Sequence, residues 1–146
     1  MSTPPTTRTG PGRILVAVYA LFAVAATGRS TVQLSLKASE APVPYTLSLL
    51  AALIYVTATV ALVRGSAAWR RVAWMACTTE LIGVLVVGTI SVLVTFPDAT
   101  VWSDYGIGYG FVPLVLPVFG LWWLQHTSTR SRTHPASRDE STSASQ

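Results

Sequence analysis

Four apolar runs, separated by short polar breaks, dominate the pattern along the chain. The first, Ile14–Thr27, is interrupted by Gly28-Arg29 and resumes through VQLSL toward Lys37. From Arg13 to Arg29 a helix rises only ~24 Å, short of a ~30 Å hydrocarbon core. Either Arg29 snorkels to the surface or the helix runs on, and the second alternative is favoured. A helix continuing to Glu40 puts Arg29, Gln33, Lys37 and Glu40 on one stripe. Ala41-Pro42-Val43-Pro44 ends this stretch, because proline disfavours helix in the residue before it. The second run, Tyr45–Val63, is free of charge. Arg64-Gly65-Ser66 opens a turn that ends at Arg70-Arg71. The third run, Val72–Val94, is long enough to cross a bilayer and carries one charge, Glu80. A polar, aromatic, glycine-rich loop follows, Thr95–Gly110. The fourth run, Phe111–Leu124, is short, so Ile107–Gly110 are expected to join its crossing, with tilt or local thinning covering the rest.

This pattern predicts an all-α fold, a four-helix transmembrane bundle with spans at about 14–36, 45–63, 72–94 and 107–124. Residues 1–12 and 125–146 are too polar to bury apolar area and read as disordered tails, which leaves 13–124 as the membrane domain. No internal repeat and no soluble domain is evident.

Composition agrees. Of 146 residues, 51% are hydrophobic and 11% charged, against about 25% charged in soluble domains. The single cysteine, Cys77, excludes an intramolecular disulfide and any Cys-pair redox or zinc site. The net charge of +4 matters through its distribution. Arg8 and Arg13, then Arg64, Arg70 and Arg71, then Arg130, Arg132 and Arg138 fall on one side of a four-span chain. The other side has Arg29 and Lys37 with Glu40, Asp98 and Asp104. The positive-inside rule then predicts a multi-pass plasma-membrane protein with both termini cytoplasmic and the loops near 37–45 and 95–110 outside. The aromatic belts agree, with Trp69, Trp74, Trp122 and Trp123 at the inner face and Tyr45, Phe96, Trp102 and Tyr105 at the outer. The implied partners are the lipid bilayer and other membrane proteins or a second copy, not nucleic acid. The first segment has a rival reading. Arg8, Arg13, a short apolar run and Ala23-Val24-Ala25 also resemble a cleavable signal peptide.

Glu80 is the first candidate for chemistry. It lies nine residues above Arg71, ~13.5 Å into the membrane. A charged carboxylate there costs at least ~2.5–3.5 kcal/mol, so it should be paired, protonated or wet. Ala73, Ala76, Gly83 and Ser91 share its helix face, and small residues let a neighbouring helix approach. Tyr55, nine residues from Arg64, lies at the same depth on a stripe with Ser48, Ala52 and Thr59, and is the simplest partner. Arg29 is the second, if it reaches down. A purely structural role for Glu80, locking helix register, weighs equally. Pro113 and Pro117 each free a carbonyl one turn back, and Pro117 is near the Glu80 level, although prolines are common in membrane helices.

The outer loop gathers Asp98, Trp102, Asp104 and Tyr105. Acids there could hold a cation or an amine, and aromatics a sugar or headgroup; each residue alone reads as an interfacial anchor. Gly106-Ile107-Gly108-Tyr109-Gly110 follows no strand and is no dinucleotide fingerprint. His126 and His134 have no companions, so no metal site is supported. With no nucleophile motif of Ser, His and acid, the chain reads as a non-enzyme with no cofactor.

GRSTVQLSLKASEAP at 28–42 and FPDATVWSDYGIGYGFVPLVLP at 96–117 resemble small four-span integral membrane proteins of actinobacteria. The resemblance covers residues 13–124. It implies the topology and a Gram-positive plasma membrane, and no activity. Three functions are therefore expected in order: an accessory or interaction subunit of an envelope or transport complex; a small proton-linked carrier using Glu80 with Tyr55 and Arg29; and an outer-face binder or enzyme acting on a lipid-linked substrate through the 95–110 loop.

Overall fold

A computed structural model describes residues 10–130, with side chains through Ser128. Among these residues the chain is all-helical: α1 Pro11–Lys37, α2 Pro42–Arg64, α3 Ala67–Leu93, a 3-10 helix Ser103–Tyr109, and α4 Val112–Arg130. Helices α1, α2 and α3 are long and apolar enough to cross a membrane. The 3-10 helix and α4 form a further pair, bent by 98° at their junction.

The helix ends follow from local chemistry and move several expected boundaries. Proline needs no N–H partner in the first turn, so Pro11 starts α1 and Pro42 starts α2. The Pro42-Val43-Pro44 stretch, expected to lie between spans, is therefore the first turn of α2. Gly65 ends α2 in the left-handed conformation, its N–H bonded to the carbonyl of Ala61 at 3.2 Å. Ser66 then caps α3, its hydroxyl accepting from the N–H of Trp69 at 3.5 Å. The expected turn up to Arg71 thus shrinks to two residues, and α1 stops at Lys37 short of Glu40. Residues 10–12 and 125–130, expected in the tails, are described as turn or helix; residues 1–9 and 131–146 of those tails lie outside the described residues.

The largest departure is at the fourth run. Ile107–Gly110 do not extend its helix. Gly110 and Phe111 have φ of 63° and 61°, and these left-handed residues turn the chain through the bend. The helix gains its length at the opposite end, running past Leu124 to Arg130.

Helix α1 packs on α2, α2 on α3 and α3 on α4, and α4 closes against α1. The buried positions recur at three- and four-residue steps: Leu15, Tyr19, Ala23, Ala26, Ser30 and Gln33 on α1; Ala73, Ala76, Glu80, Val84 and Val87 on α3. Much of the interior is Ala, Gly, Ser and Cys, which lets helices approach closely without a hydrophobic driving force between them. Outward faces carry Leu21, Val24, Leu53, Met75, Ile82 and Val115, all exposed. The exposed Thr57, Thr79 and Thr89 each donate to the carbonyl four residues back at 2.7–2.8 Å, so no lipid-facing hydroxyl of theirs is left open.

The two ends of the bundle differ. At the Gly65-Ser66 end, Arg70 reaches across to α4, donating to Thr127 Oγ1 at 3.0 Å, to the carbonyl of Leu124 at 2.6 Å and to Ser128. Arg64 lies 4.6 Å over the ring of Trp69. The other end is covered by the 95–110 loop.

A candidate site around Glu80

Glu80 is the middle residue of the 27-residue α3 and is wholly buried, at 0% exposure. Its Oε2 accepts a hydrogen bond from the Tyr19 hydroxyl of α1 at 2.8 Å. That hydroxyl also lies 3.3 Å from Cys77 Sγ, one turn before Glu80. Tyr55 of α2 faces the same carboxyl. No hydrogen bond reaches Oε1, although it is buried. Helix α4 contributes an absence of side chain: a Cβ at Gly120 would stand 3.0 Å from Cys77 Sγ and 3.4 Å from the Tyr19 hydroxyl. Glycine there is what allows α4 to close on the site.

Trp102 roofs the site. It is 1% exposed, and its indole N–H donates to the Tyr55 hydroxyl at 3.3 Å. Since that hydroxyl accepts from Trp102, its own proton stays available for another acceptor. The indole packs against α3 at Gly83, where an added Cβ would come within 2.8 Å of ring atom Cζ3. Tyr105 is seated the same way on Gly88, its hydroxyl 3.0 Å from that of Thr89. The tilted rings of Tyr19 and Tyr55 are 6.2 Å apart, and Phe22 is 5.6 Å from Tyr55.

Arg29 ties the roof down. Its guanidinium donates to the Tyr109 hydroxyl at 3.0 Å and to the carbonyl of Ala99, and lies 3.7 Å from Asp98 Oδ1. Gln33, one turn on, donates to Asp98 Oδ2 at 3.3 Å. Within the loop, Ser103 Oγ accepts from the N–H of Thr100 at 2.9 Å, and Ser91 Oγ accepts from the N–H of Asp104 at 2.7 Å.

These placements sort the residues expected to carry chemistry. Glu80 and Tyr55 come together. Arg29 does not join them, because its contacts are spent on Asp98, Ala99 and Tyr109 at the loop. The four-residue stripe also divides: Arg29 and Gln33 turn to the loop, while Lys37 and Glu40 pair at 3.4 Å on the exposed surface. Asp98, Trp102 and Tyr105 do not form an outward platform. Asp98 is paired with Arg29, Trp102 is buried in the bundle and Tyr105 lies against α3, which leaves Asp104 as the loop's exposed acid. Pro113 and Pro117 are both fully buried on the inward face of α4.

Sequence reasoning missed Tyr19, Cys77 and Gly120. The signal for Tyr19 was present: it falls on the Leu15–Tyr19–Ala23–Ala26 stripe, the inward face of α1. No protein-family model matches the chain, and neither a curated protein nor a solved structure matches it.

Proposed function

We propose that the chain is a four-span plasma-membrane protein with both termini in the cytoplasm, working as a small proton-linked carrier whose protonatable group is Glu80. The span count takes the 3-10 helix and α4 as one crossing, and the orientation rests on the arginine distribution. The habitat rests on the resemblance to small actinobacterial membrane proteins. One observation carries the functional reading. A carboxyl at the centre of the bundle has one oxygen bonded to Tyr19 and the other without a partner. An ionisable group at that depth is expensive to bury and is retained most often where it handles an ion or a proton.

The titratable groups facing Glu80 are Tyr19 from α1, Tyr55 from α2 and its own neighbour Cys77. Helix α4 presents Gly120 and the loop presents Trp102, neither of which titrates. Glu80→Gln keeps the size and hydrogen-bonding capacity of the side chain and removes the exchangeable proton. In proteoliposomes with an internal pH dye, the wild type is expected to carry a proton flux and Glu80→Gln to lose it while still folding. A pH-dependent flux that survives in Glu80→Gln ends the carrier reading.

A second reading, an accessory subunit of an envelope or transport complex, is supported by a different feature. Helices α2 and α3 leave an apolar groove of about 250 Å³, lined by Leu53, Thr57, Met75, Ala76 and Thr79 among others. Thr57, Ala76 and Thr79 in this groove are small, which suits close approach by a partner's membrane helix. A photo-crosslinker at Met75 would then capture one protein at near-stoichiometric yield, and the same probe at Val115 would not. Lipid adducts alone from both positions count against this reading.

A further inference from the structure

We infer that the Trp102 roof is a latched lid over a binding site for a small organic cation. The site is entered from the loop end once the lid lifts, with Glu80 Oε1 as acceptor and the rings of Tyr19, Phe22 and Tyr55 as walls. This names the substrate class for the carrier reading above and rests on it.

The ligand chemistry follows from the wall. A buried carboxyl oxygen without a hydrogen bond stands among three aromatic side chains, Tyr19 bonded to the same carboxyl, Tyr55 facing it and Phe22 packed on Tyr55, each with an electron-rich face. Such faces attract a desolvated cation, and a carboxylate at the same point adds the opposite charge. The mouth has the matching sign, since Glu40, Asp98 and Asp104 outnumber Arg29 and Lys37 there.

The direction of entry follows from what closes each end. Toward the Gly65-Ser66 end, Leu15, Leu62 and Leu124 fill the interior at 1–3% exposure, and Arg70 clamps α3 to α4. Toward the loop end the cover is a segment without a core of its own. It is seated by Trp102 on Gly83 and Tyr105 on Gly88, and its guanidinium latch is the single residue Arg29. Asp104 and Tyr105, at φ of 50° and 57°, hold a left-handed conformation that non-glycine residues adopt at a cost. Lifting the loop relieves that cost. It also vacates the indole's seat on Gly83, space for a cation of that size beside Glu80.

Cys77 is a built-in reporter, because it sits beside Tyr19 and Glu80 and is the chain's only thiol. The test applies two membrane-impermeant thiol reagents to vesicles of each orientation: cationic trimethylammonioethyl methanethiosulfonate and anionic sulfonatoethyl methanethiosulfonate. Each forms a mixed disulfide with the Cys77 thiolate and releases methanesulfinate. Rates are read by mass and normalised to the protein unfolded in SDS. From the loop side, the cationic reagent is expected to outpace the anionic one by about tenfold or more. Arg29→Ala is expected to speed both by a similar factor, and Glu80→Gln to erase the charge preference. Trp102→Phe, a milder change, should accelerate labelling with the melting temperature near wild type. Equal rates for the two reagents, or faster labelling from the opposite side, overturn the inference. So does an Arg29→Ala or Trp102→Phe variant that stays folded and shows no acceleration. A charge preference without proton flux would leave the cation site standing and remove the carrier, so the two claims fail separately.

Discussion

At Glu80 the hydrogen bond from Tyr19 is the contact that joins α1 to α3 through the centre of the bundle. Side-chain hydrogen bonds inside membrane proteins contribute about 0.6 kcal/mol on average and up to about 1.7. Tyr19→Phe is therefore expected to lower unfolding stability in detergent by an amount in that range, and Tyr55→Phe by a comparable amount, because it takes the acceptor from the buried Trp102 indole N–H. Denaturant titration followed by helix content measures both. Gly83→Ala acts by shape. Its methyl meets the indole at 2.8 Å, so Trp102 must shift, and overpacking of this kind costs about 1–3 kcal/mol. Faster thiol labelling of Cys77 should accompany that loss. The burial of Glu80 was legible in the sequence, because one acid in an apolar run on a face of small residues has nowhere else to go. Its partner was not. Counting residues from flanking arginines gives a depth, which found Tyr55. It does not say how far a phenol reaches across the bundle, which is how Tyr19 arrives from lower on α1.

Among the elements, the 95–110 loop and α4 depart most from expectation, and for one reason. Composition marked residues 95–110 as interfacial, but whether its aromatics face out or fold inward depends on what lies beneath them. Gly83 and Gly88 on α3 leave the room a side chain would fill, and Trp102 and Tyr105 take it. Arg29 was legible as an unusual charge at the end of an apolar run. Its acceptors were not, since they come from a loop some 70 residues later. Helix α4 needs its own anchor, because its start is a bend. Arg70 supplies it through Leu124, Thr127 and Ser128. Removing that guanidinium deletes the bonds that cross from α3 to α4 there, and hydrogen bonds from a charged donor contribute about 1.5–3 kcal/mol. Arg70→Ala should therefore melt several degrees below the wild type, while exposed Arg71→Ala should change little.

Across the whole molecule, three long apolar helices and a bent pair account for the membrane reading, and the hydropathy pattern alone announced them. The fourth apolar run was legible only in part: its apolar centre stood out, but the bend at Gly110-Phe111 moved the start of its helix, and the far end ran into polar residues. The interior gives a reason for the first segment to be retained. Cleavage after Ala25 would remove Leu15 and Tyr19, both at most 1% exposed, and with them the hydrogen bond to Glu80. Intact mass of the membrane-extracted protein is expected to include residues 14–25. A C-terminal fluorescent reporter should light up in the cytoplasm, and an alkaline phosphatase fused within 95–110 should be active outside.

The carrier proposed above requires that Glu80 exchange a proton inside the membrane. Infrared difference spectroscopy of the protein in lipid vesicles, titrated from the loop side, tests it most directly. A carboxylic-acid carbonyl band should give way to carboxylate as the medium becomes alkaline, be absent in Glu80→Gln, and shift in Tyr19→Phe. A spectrum in which no pH-sensitive carboxyl band is lost with Glu80→Gln would mean that Glu80 only fastens the helices together.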